Sequence, residues 1–201
     1  TLPSKVTDYT DYRDFSSGLA AVSVIVPAKY QGREIKVAMW GFIDKTGKFA
    51  IEPQFITDVH DFSEGLASVK LGNQYGFIDK TGKFVVKPQF DDAGLFSGGL
   101  APVRIGDKWG YIDTAGEMII EPQFRYALPF SEGLATVGLF DNKEWGIGFI
   151  DPKGQAVSRT YARFAEPFKN GLARVHLSDW LTAYVDKSGK FIGPSSEMFT
   201  N

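Results

Sequence analysis

The sequence predicts an all-β protein built from five tandem repeats, and three observations support this prediction. A block of the form Phe-Ser-x-Gly-Leu-Ala recurs at 15–20, 62–67, 96–101 and 130–135, with a looser copy at 168–173. Each block is followed by a Gly-Phe/Tyr-Ile-Asp segment or a close variant, and these segments end at Asp44, Asp79, Asp113, Asp151 and Asp186. The chain also contains 22 Gly beside 17 Phe, 8 Tyr and 4 Trp, which combines turn-forming with strand-forming residues.

The repeats divide the chain into successive units of similar length. A third block, Pro-Gln-Phe, stands at 53–55, 88–90 and 122–124; it is lost in the fourth unit and truncated in the fifth. We therefore expect one repeat domain over 1–201. Its repeats one to five cover 15–55, 62–90, 96–124, 130–161 and 168–194.

The first strand of each repeat follows the Phe-Ser-x-Gly block. In 66–71, Ala67, Val69 and Leu71 alternate with Ser68 and Lys70. This period of two is typical of a half-buried strand, with Ala67, Val69 and Leu71 facing inward.

The second strand carries the aromatic-Gly-Phe-Ile-Asp segment. Alternation places its two ring positions on one face, and Gly and Ile on the other. The strand ends in Asp-x-x-Gly, as at Asp79 to Gly82. An Asp at the start of a turn accepts bonds from the N–H groups of that turn, so we expect these carboxylates to cap turns.

The third strand, as at 84–86, is expected to stop at Pro88, because proline has no N–H for a ladder. After three antiparallel strands the chain is at the end of the sheet opposite to the one where the first strand of the next repeat must begin. The segment that follows Pro-Gln-Phe must therefore be a return leg, with a short edge strand as one form of it. Five such meanders fit either an open β superhelix or a small five-bladed propeller.

These blocks together resemble the bacterial WG-repeat proteins, whose repeat reads Trp-Gly-Phe/Tyr-Ile-Asp, a Gly turn, Pro-Gln-Phe and then Phe-Ser-Glu-Gly-Leu-Ala. The resemblance extends from Phe15 to Pro194. It implies bacterial origin and β-structured repeats, and no common activity or catalytic residues. Two departures stand out: Tyr75 replaces the Trp in repeat two, and Trp145-Gly146 precedes the matching column in repeat four.

The composition argues against several classes of protein. The 22 Lys and Arg nearly balance 24 Asp and Glu, so the basic excess of a nucleic-acid binder is missing. No cysteine is present, which excludes disulfides and thiolate chemistry. No apolar run is long enough to span a bilayer, so we expect no membrane insertion. We favour an exported, periplasmic or cell-surface location over a cytoplasmic one.

No residue pattern predicts catalysis, a cofactor or a metal. His60 and His176 lie in different repeats without a carboxylate cluster beside them. The recurrent aspartates fit turn capping better than a calcium ring, because each keeps the same offset from a turn Gly. The block serines recur in the first four repeats, whereas a nucleophile is needed once. The repeated rings are expected to form the core.

Residues that break the repetition are the candidates for function. The largest break is an insertion at 26–36 in repeat one; two others lie at 140–145 and 178–181. All three fall in the connection from first to second strand, so we expect them to protrude from one edge of the array. The partner-binding residues predicted there are Lys29, Tyr30, Arg33, Trp145, Asp179 and Trp180.

Two functions compete on these residues. The first is a protein-interaction or envelope-scaffold module that presents the variable connections and four outward positions of the first strands, Lys70, Arg104, Arg174 and His176. The alternative is a carbohydrate or cell-wall binder that stacks sugars on Tyr30, Trp145 and Trp180. An enzyme with an unrecognised site is the third reading.

Overall fold

The computed structural model describes residues 9–139, 146–178 and 181–192, and every regular element in these ranges is a β-strand. The chain forms two compact units, Thr1–Leu95 and Phe96–Asn201. Within the described ranges, no helix has the length and apolar character needed to cross a membrane.

The first unit contains repeats one and two. Its strands are β1 (Tyr9–Tyr12), β2 (Leu19–Tyr30), β3 (Arg33–Asp44), β4 (Phe49–Phe55), β5 (Leu66–Leu71), β6 (Gln74–Asp79), β7 (Phe84–Phe90) and β8 (Asp92–Ala93). Strands β1 to β4 form one sheet in chain order, and β5, β6 and β7 form another. All of these pairings are antiparallel, as predicted.

The second unit contains repeats three to five. Its strands are β9 (Leu100–Ile105), β10 (Lys108–Asp113), β11 (Met118–Phe124), β12 (Tyr126–Ala127), β13 (Ala135–Leu139), β14 (Gly146–Ile150), β15 (Ala156–Tyr161), β16 (Phe164–Ala165), β17 (Leu172–His176), β18 (Thr182–Asp186) and β19 (Phe191–Ile192). Strands β9 to β11 form an antiparallel meander; β12 to β15 and β16 to β19 form sheets in chain order.

The return leg between repeats forms a short edge strand, which was one of the forms predicted for it. Strand β12 pairs with β13, and β16 pairs with β17, each over two residues. In repeat two the same position is reduced to a single bridge between Val59 and Val69. The return leg therefore adds a fourth strand to the meander wherever the pairing is long enough.

The third strand does not stop at proline, which corrects the prediction for Pro88. Strand β7 continues to Phe90, and Tyr75 pairs with Phe90 while Phe77 pairs with Val86. The extra residues of β7 between these pairs form a bulge on an edge strand, where a missing N–H breaks no ladder. The Pro-Gln-Phe block is thus a bulge inside the strand.

The bulge explains the glycine of the second strand. A Cβ added to Gly76 would lie 2.6 Å from the Val86 carbonyl oxygen and 2.7 Å from the Pro88 nitrogen. Gly41 and Gly110 meet the matching backbone atoms at similarly short distances. The bulged backbone therefore lies so close to the second strand that only glycine fits beneath it.

Repeat four, which lacks Pro-Gln-Phe, also lacks this bulge. Strand β14 pairs with β15 in unbroken register from Gly146↔Tyr161 to Phe149↔Ser158. A Cβ on Gly148 would meet only side-chain methyl carbons of Val137 and Leu139, at 3.2 and 3.3 Å. The block and the bulge are lost together.

The first strands of repeats one to four are buried on both faces over most of their length, which corrects the expectation of half-buried strands. Ser68, predicted on the outer face, is buried, as is Thr136 at the matching position of repeat four. The reason is stacking: the ring face of the fourth sheet, on which Thr136 lies beside Phe149, packs against Val175 of the last sheet. Alternation indicated a polar outer face, but the small size of these polar residues admits a neighbouring sheet. Leu71, predicted to face inward, is 55% exposed, because it is the last residue of its strand.

Rings connect successive sheets within each unit. Phe42 contacts Phe62 edge-on with ring centroids 4.9 Å apart, and Phe149 contacts Phe168 in the same way at 5.0 Å. Each pair joins a second-strand ring to the Phe-Ser-x-Gly ring of the next repeat. These rings lie in the core, as predicted, whereas the repeated ring Tyr184 of repeat five is 47% exposed. The all-β class with small antiparallel sheets is confirmed. The presence of five repeats in one domain, and the choice between superhelix and propeller, stay predictions.

Candidate interaction surface

The insertion of repeat one is a hairpin rather than a loop. Strands β2 and β3 pair without interruption from Leu19↔Asp44 to Tyr30↔Arg33. Gln31 and Gly32 form the two-residue turn, with φ values of 48° and 77° that match the type I′ turn favoured between twisted strands. The part of this hairpin at residues 25–39 is called the long hairpin below.

Three predicted binding residues lie together at the tip of the long hairpin. Tyr30 pairs with Arg33 across the turn, and Lys29 is the residue before Tyr30. All three side chains are exposed, Tyr30 by 64%. Trp145, Asp179 and Trp180 lie outside the described residues, so the convergence of the three connections stays a prediction.

The sequence analysis missed the apolar residues farther down the same hairpin. Ile25 and Ile35 are 45% and 40% exposed. The signal that indicates them is the strand pattern on both sides of Gln-Gly, with Val-Ile-Val before it and Ile-Lys-Val after it. The long hairpin therefore combines an aromatic and charged tip with exposed aliphatic side chains.

Comparison with known proteins identifies the repeats. The family model for the WG containing repeat matches residues 40–75, 75–109, 109–143 and 147–177, which together are more than half of the chain. The chain belongs to the WG containing repeat family. Each match to repeats one to three begins at the ring that precedes the second-strand glycine: Trp40, Tyr75 or Trp109.

The other comparisons are distant or empty. No curated protein matches the chain. Among solved structures, HIRA(644-1017) is 10% identical with a TM-score of 0.46, over 79% of this chain and 58% of that one. The tricorn protease is 14% identical with a TM-score of 0.34, over 94% of this chain and 26% of that one. The chain thus spans less than two thirds of each of these proteins.

In WG repeats one to three, a ring precedes the second-strand glycine and packs on the core. Trp40 and Trp109 are partly buried and pack against the core clusters, whereas Tyr75 is buried. A cationic side chain lies over each ring. The distance from the Arg Cζ or Lys Nζ atom to the ring centroid is 5.7 Å for Arg13 over Trp40, 5.4 Å for Lys70 over Tyr75 and 6.0 Å for Arg104 over Trp109. Lys70 and Arg104, predicted to face a partner, thus contact rings of their own repeats.

The aspartates of the WG repeats cap turns, as predicted. In repeat two, Asp79 Oδ1 accepts hydrogen bonds from the backbone N–H of Thr81 at 2.8 Å and of Lys83 at 3.1 Å. The Thr81 hydroxyl donates a third at 2.6 Å, and this bond is the main reason that the pKa of Asp79 lies below its usual value. Within the part of the chain that the structure describes, no three His, Asp or Glu residues form a metal-binding group.

The repeated serine also has a packing role. The Ser16 hydroxyl donates to the Phe62 carbonyl, and the Ser131 hydroxyl donates to the Phe168 carbonyl, both at 2.6 Å. Each bond joins the Phe-Ser-x-Gly block of one WG repeat to the block of the next. Recurrence of this serine therefore reflects stacking of the repeats.

His60 is half-buried in the first unit. Its Nδ1 lies 2.6 Å from the Ser68 hydroxyl, and its ring stacks on Tyr75 with centroids 6.0 Å apart. Burial lowers the pKa of His60 below its usual value, and Arg13 acts in the same direction. Ser68 is itself buried, so this pair offers no accessible nucleophile.

The last sheet differs from the preceding ones on its ring face. Arg174 stands where earlier first strands have Ser68 and Thr136, and its guanidinium pairs with Glu166. His176 Nε2 lies 3.2 Å from the same carboxylate, and Tyr184 is 47% exposed. The pKa of Glu166 is lowered, mainly by the hydrogen bond from Arg174 and to a smaller extent by that from His176. Two predicted partner-facing residues thus share one carboxylate on a polar face.

A shallow hollow lies on the fourth sheet, where the WG repeat has no bulge. It is lined by Leu139, Gly146, Ile147, Arg159, Thr160 and Tyr161 and has a volume of about 260 Å³, open solvent included. The Tyr161 ring is 70% exposed. The side chains around this hollow offer one aromatic ring and one guanidinium to a polar ligand.

Proposed function

We propose that the chain is a non-catalytic WG-repeat module that binds a partner protein, in an envelope-scaffolding role, through the long hairpin. The supporting observation is that the repeated residues and the non-repeated residues of repeat one occupy different places in the structure. Repeated residues pack the sheets, cap turns or join neighbouring blocks, whereas Lys29, Tyr30 and Arg33 have no counterpart in the other repeats and are exposed. Aromatic and arginine side chains dominate binding energy at protein interfaces.

The proposed role is tested by site-specific photo-crosslinking. A benzoylphenylalanine placed at Tyr30 is expected to form adducts with a partner protein in cells that naturally make this chain, and mass spectrometry identifies them. The matched control carries the same group at Tyr161, which is 70% exposed but lies off the long hairpin. Equal adducts at both positions, or none at Tyr30, would contradict the proposal.

Carbohydrate or cell-wall binding is the second candidate, supported by the hollow on the fourth sheet. An exposed tyrosine beside an arginine can stack on a sugar and pair with its polar groups. The test is a titration of soluble cell-wall glycan fragments against tryptophan fluorescence. Binding that is lost in Tyr161→Ala and kept in Tyr30→Ala would favour this function over the first.

A further inference from the structure

The long hairpin leaves two backbone edges without a neighbouring strand among the described residues. Strand β1 pairs with β2 no farther than Val24, and β4 pairs with β3 only from Trp40. Residues 25–30 of β2 and 33–39 of β3 therefore pair with each other and with no other described strand. Unpaired edges are templates for the addition of a further strand.

The two edges differ in the hydrogen bonds they can make. Successive residues of a strand turn their N–H and C=O groups to opposite sides, and Trp40 faces β4. Glu34, Lys36 and Ala38 therefore turn these groups to the free side of β3. On β2, Pro27 is at an outward position, because Ala21, six residues earlier, accepts a bond from the Arg13 N–H of the return leg. Proline breaks the β2 edge, so the β3 edge alone is complete.

The charges on the β3 edge are complementary to themselves. Glu34 and Lys36 flank Ile35, which is 40% exposed. In an antiparallel pair of two such edges centred on Ile35, each Glu34 lies opposite Lys36 of the other copy, and the two Ile35 side chains meet. Opposite charges at directly facing positions stabilise a sheet, and the outward backbone groups of these residues pair with each other.

The neighbouring registers lack this complementarity. A two-fold axis at Glu34 places the two glutamates opposite each other, and an axis at Lys36 does the same for the two lysines. Like charges at facing positions destabilise the pairing. The charges therefore select the register centred on Ile35.

We propose that the partner at the β3 edge is a second copy of this chain, joined antiparallel about Ile35 into one continuous sheet. The inference rests on the proposed interaction role of the long hairpin, and it names the partner. Within the hairpin, Lys29 already faces Glu34 from β2. Pairing thus places Glu34 between Lys29 of its own chain and Lys36 of the other.

The test is the mass of the full chain in solution, measured by sedimentation over a range of concentrations. The parent is expected to have the mass of two copies. Glu34→Lys or Lys36→Glu alone sets like charges opposite each other at both symmetric contacts, and each is expected to raise the dissociation constant roughly tenfold or more. The double variant E34K/K36E restores opposite charges and should recover parental association. Lys45→Glu, on an exposed turn, is the matched charge control.

Three results would overturn the inference. They are a parent with the mass of one copy at every concentration, single variants that associate like the parent, and a double variant that stays as weak as the singles. Failure here is distinct from failure of the proposed function. A one-copy mass together with adducts between Tyr30 and another protein rejects the second copy and keeps the interaction role. A one-copy mass together with no adducts at Tyr30 to any protein rejects both.

Discussion

Repeats one and two lie in the same compact unit and share one framework, but their hairpins differ in length. Strands β2 and β3 have 12 residues each, whereas β5 and β6 have 6 each. In the first strand the two hairpins correspond residue by residue up to Val24 of repeat one and Leu71 of repeat two. In the second strand the correspondence resumes at Met39 and Gln74. Residues 25–38 of repeat one therefore take the place of the turn Gly72-Asn73.

The difference separates residues that hold the fold from residues that are free to bind. Repeat two is folded with the short turn, so the added residues are not needed for a WG repeat. Of the side chains in 25–38, Val26 alone is buried, and its neighbours are exposed or half-buried. The shared framework, in contrast, contributes most of the core of this unit.

The largest expected effect comes from the shared framework. Phe77→Ala in repeat two should lower the free energy of unfolding by about 3 to 5 kcal/mol, because it empties the site of a fully buried ring. Denaturant unfolding measures the loss. Phe84→Ala in the same repeat, at a ring that is 37% exposed, is the matched control and should cost about 1 kcal/mol. Equal losses would contradict the assignment of the core.

The second prediction concerns the bulge. Gly76→Ala should cost about 3 kcal/mol, because its new methyl group meets backbone atoms that cannot move aside without breaking the strand. Gly148→Ala, where the bulge is absent and side-chain methyls can shift, should cost about 1 kcal/mol. If both variants unfold at the same denaturant concentration, the bulge does not explain why the spacing between glycine and proline recurs in the first three repeats.

A smaller effect is expected at the turn caps. Asp79→Ala should lower the melting temperature at neutral pH. Calcium should leave the melting temperatures of both the parent and the variant unchanged. The pKa of Asp79 is lower in the folded state than its unfolded pKa of 3.8. The carboxylate therefore stabilises the fold at pH values above 3.8, and this stabilisation is lost as the pH falls through the pKa of the folded state. The difference in melting temperature between parent and variant should therefore shrink in acid. A difference that grows in acid, or a calcium-dependent gain, would contradict turn capping; Asp107→Ala, on an exposed turn, is the control.

Much of the framework could be predicted from the sequence because its residues recur. The second strand with Phe77 and Ile78, and the Asp79 turn, follow from period and offset alone. The bulge at Pro88 could not be predicted, since proline indicates an end of pairing equally well, and the close approach of its backbone to Gly76 is a tertiary contact. Burial of Thr136 could not be predicted for the same reason, because alternation describes one sheet and gives no information about its neighbour.

The candidate site could be predicted in part. Lys29, Tyr30 and Arg33 were identified because they break the repetition, and the structure brings them together at one tip. Ile25 and Ile35 were missed, because a segment that interrupts a repeat was interpreted as a loop. A two-residue Gln-Gly turn between apolar runs indicates a hairpin, and that local signal was present.

The smallest expected effect on stability is at the tip itself. Tyr30→Ala should change the free energy of unfolding by no more than about 0.5 kcal/mol, because the side chain is 64% exposed. The same denaturant series checks it. A loss comparable to that of Phe77→Ala would move Tyr30 from the binding surface into the framework.

The most direct test shortens the long hairpin to the length found in repeat two. Residues 25–38 are replaced by Gly-Asn, the turn that repeat two has at 72–73, so that Val24 and Met39 flank it. The shortened chain should remain folded and lose at most about 2 kcal/mol, since Val26 is the one buried side chain removed. Capture of the protein partner that crosslinks at Tyr30, measured with parent and shortened chains at equal concentration, should then be abolished. Undiminished capture by the folded, shortened chain would contradict the assignment of function to the long hairpin.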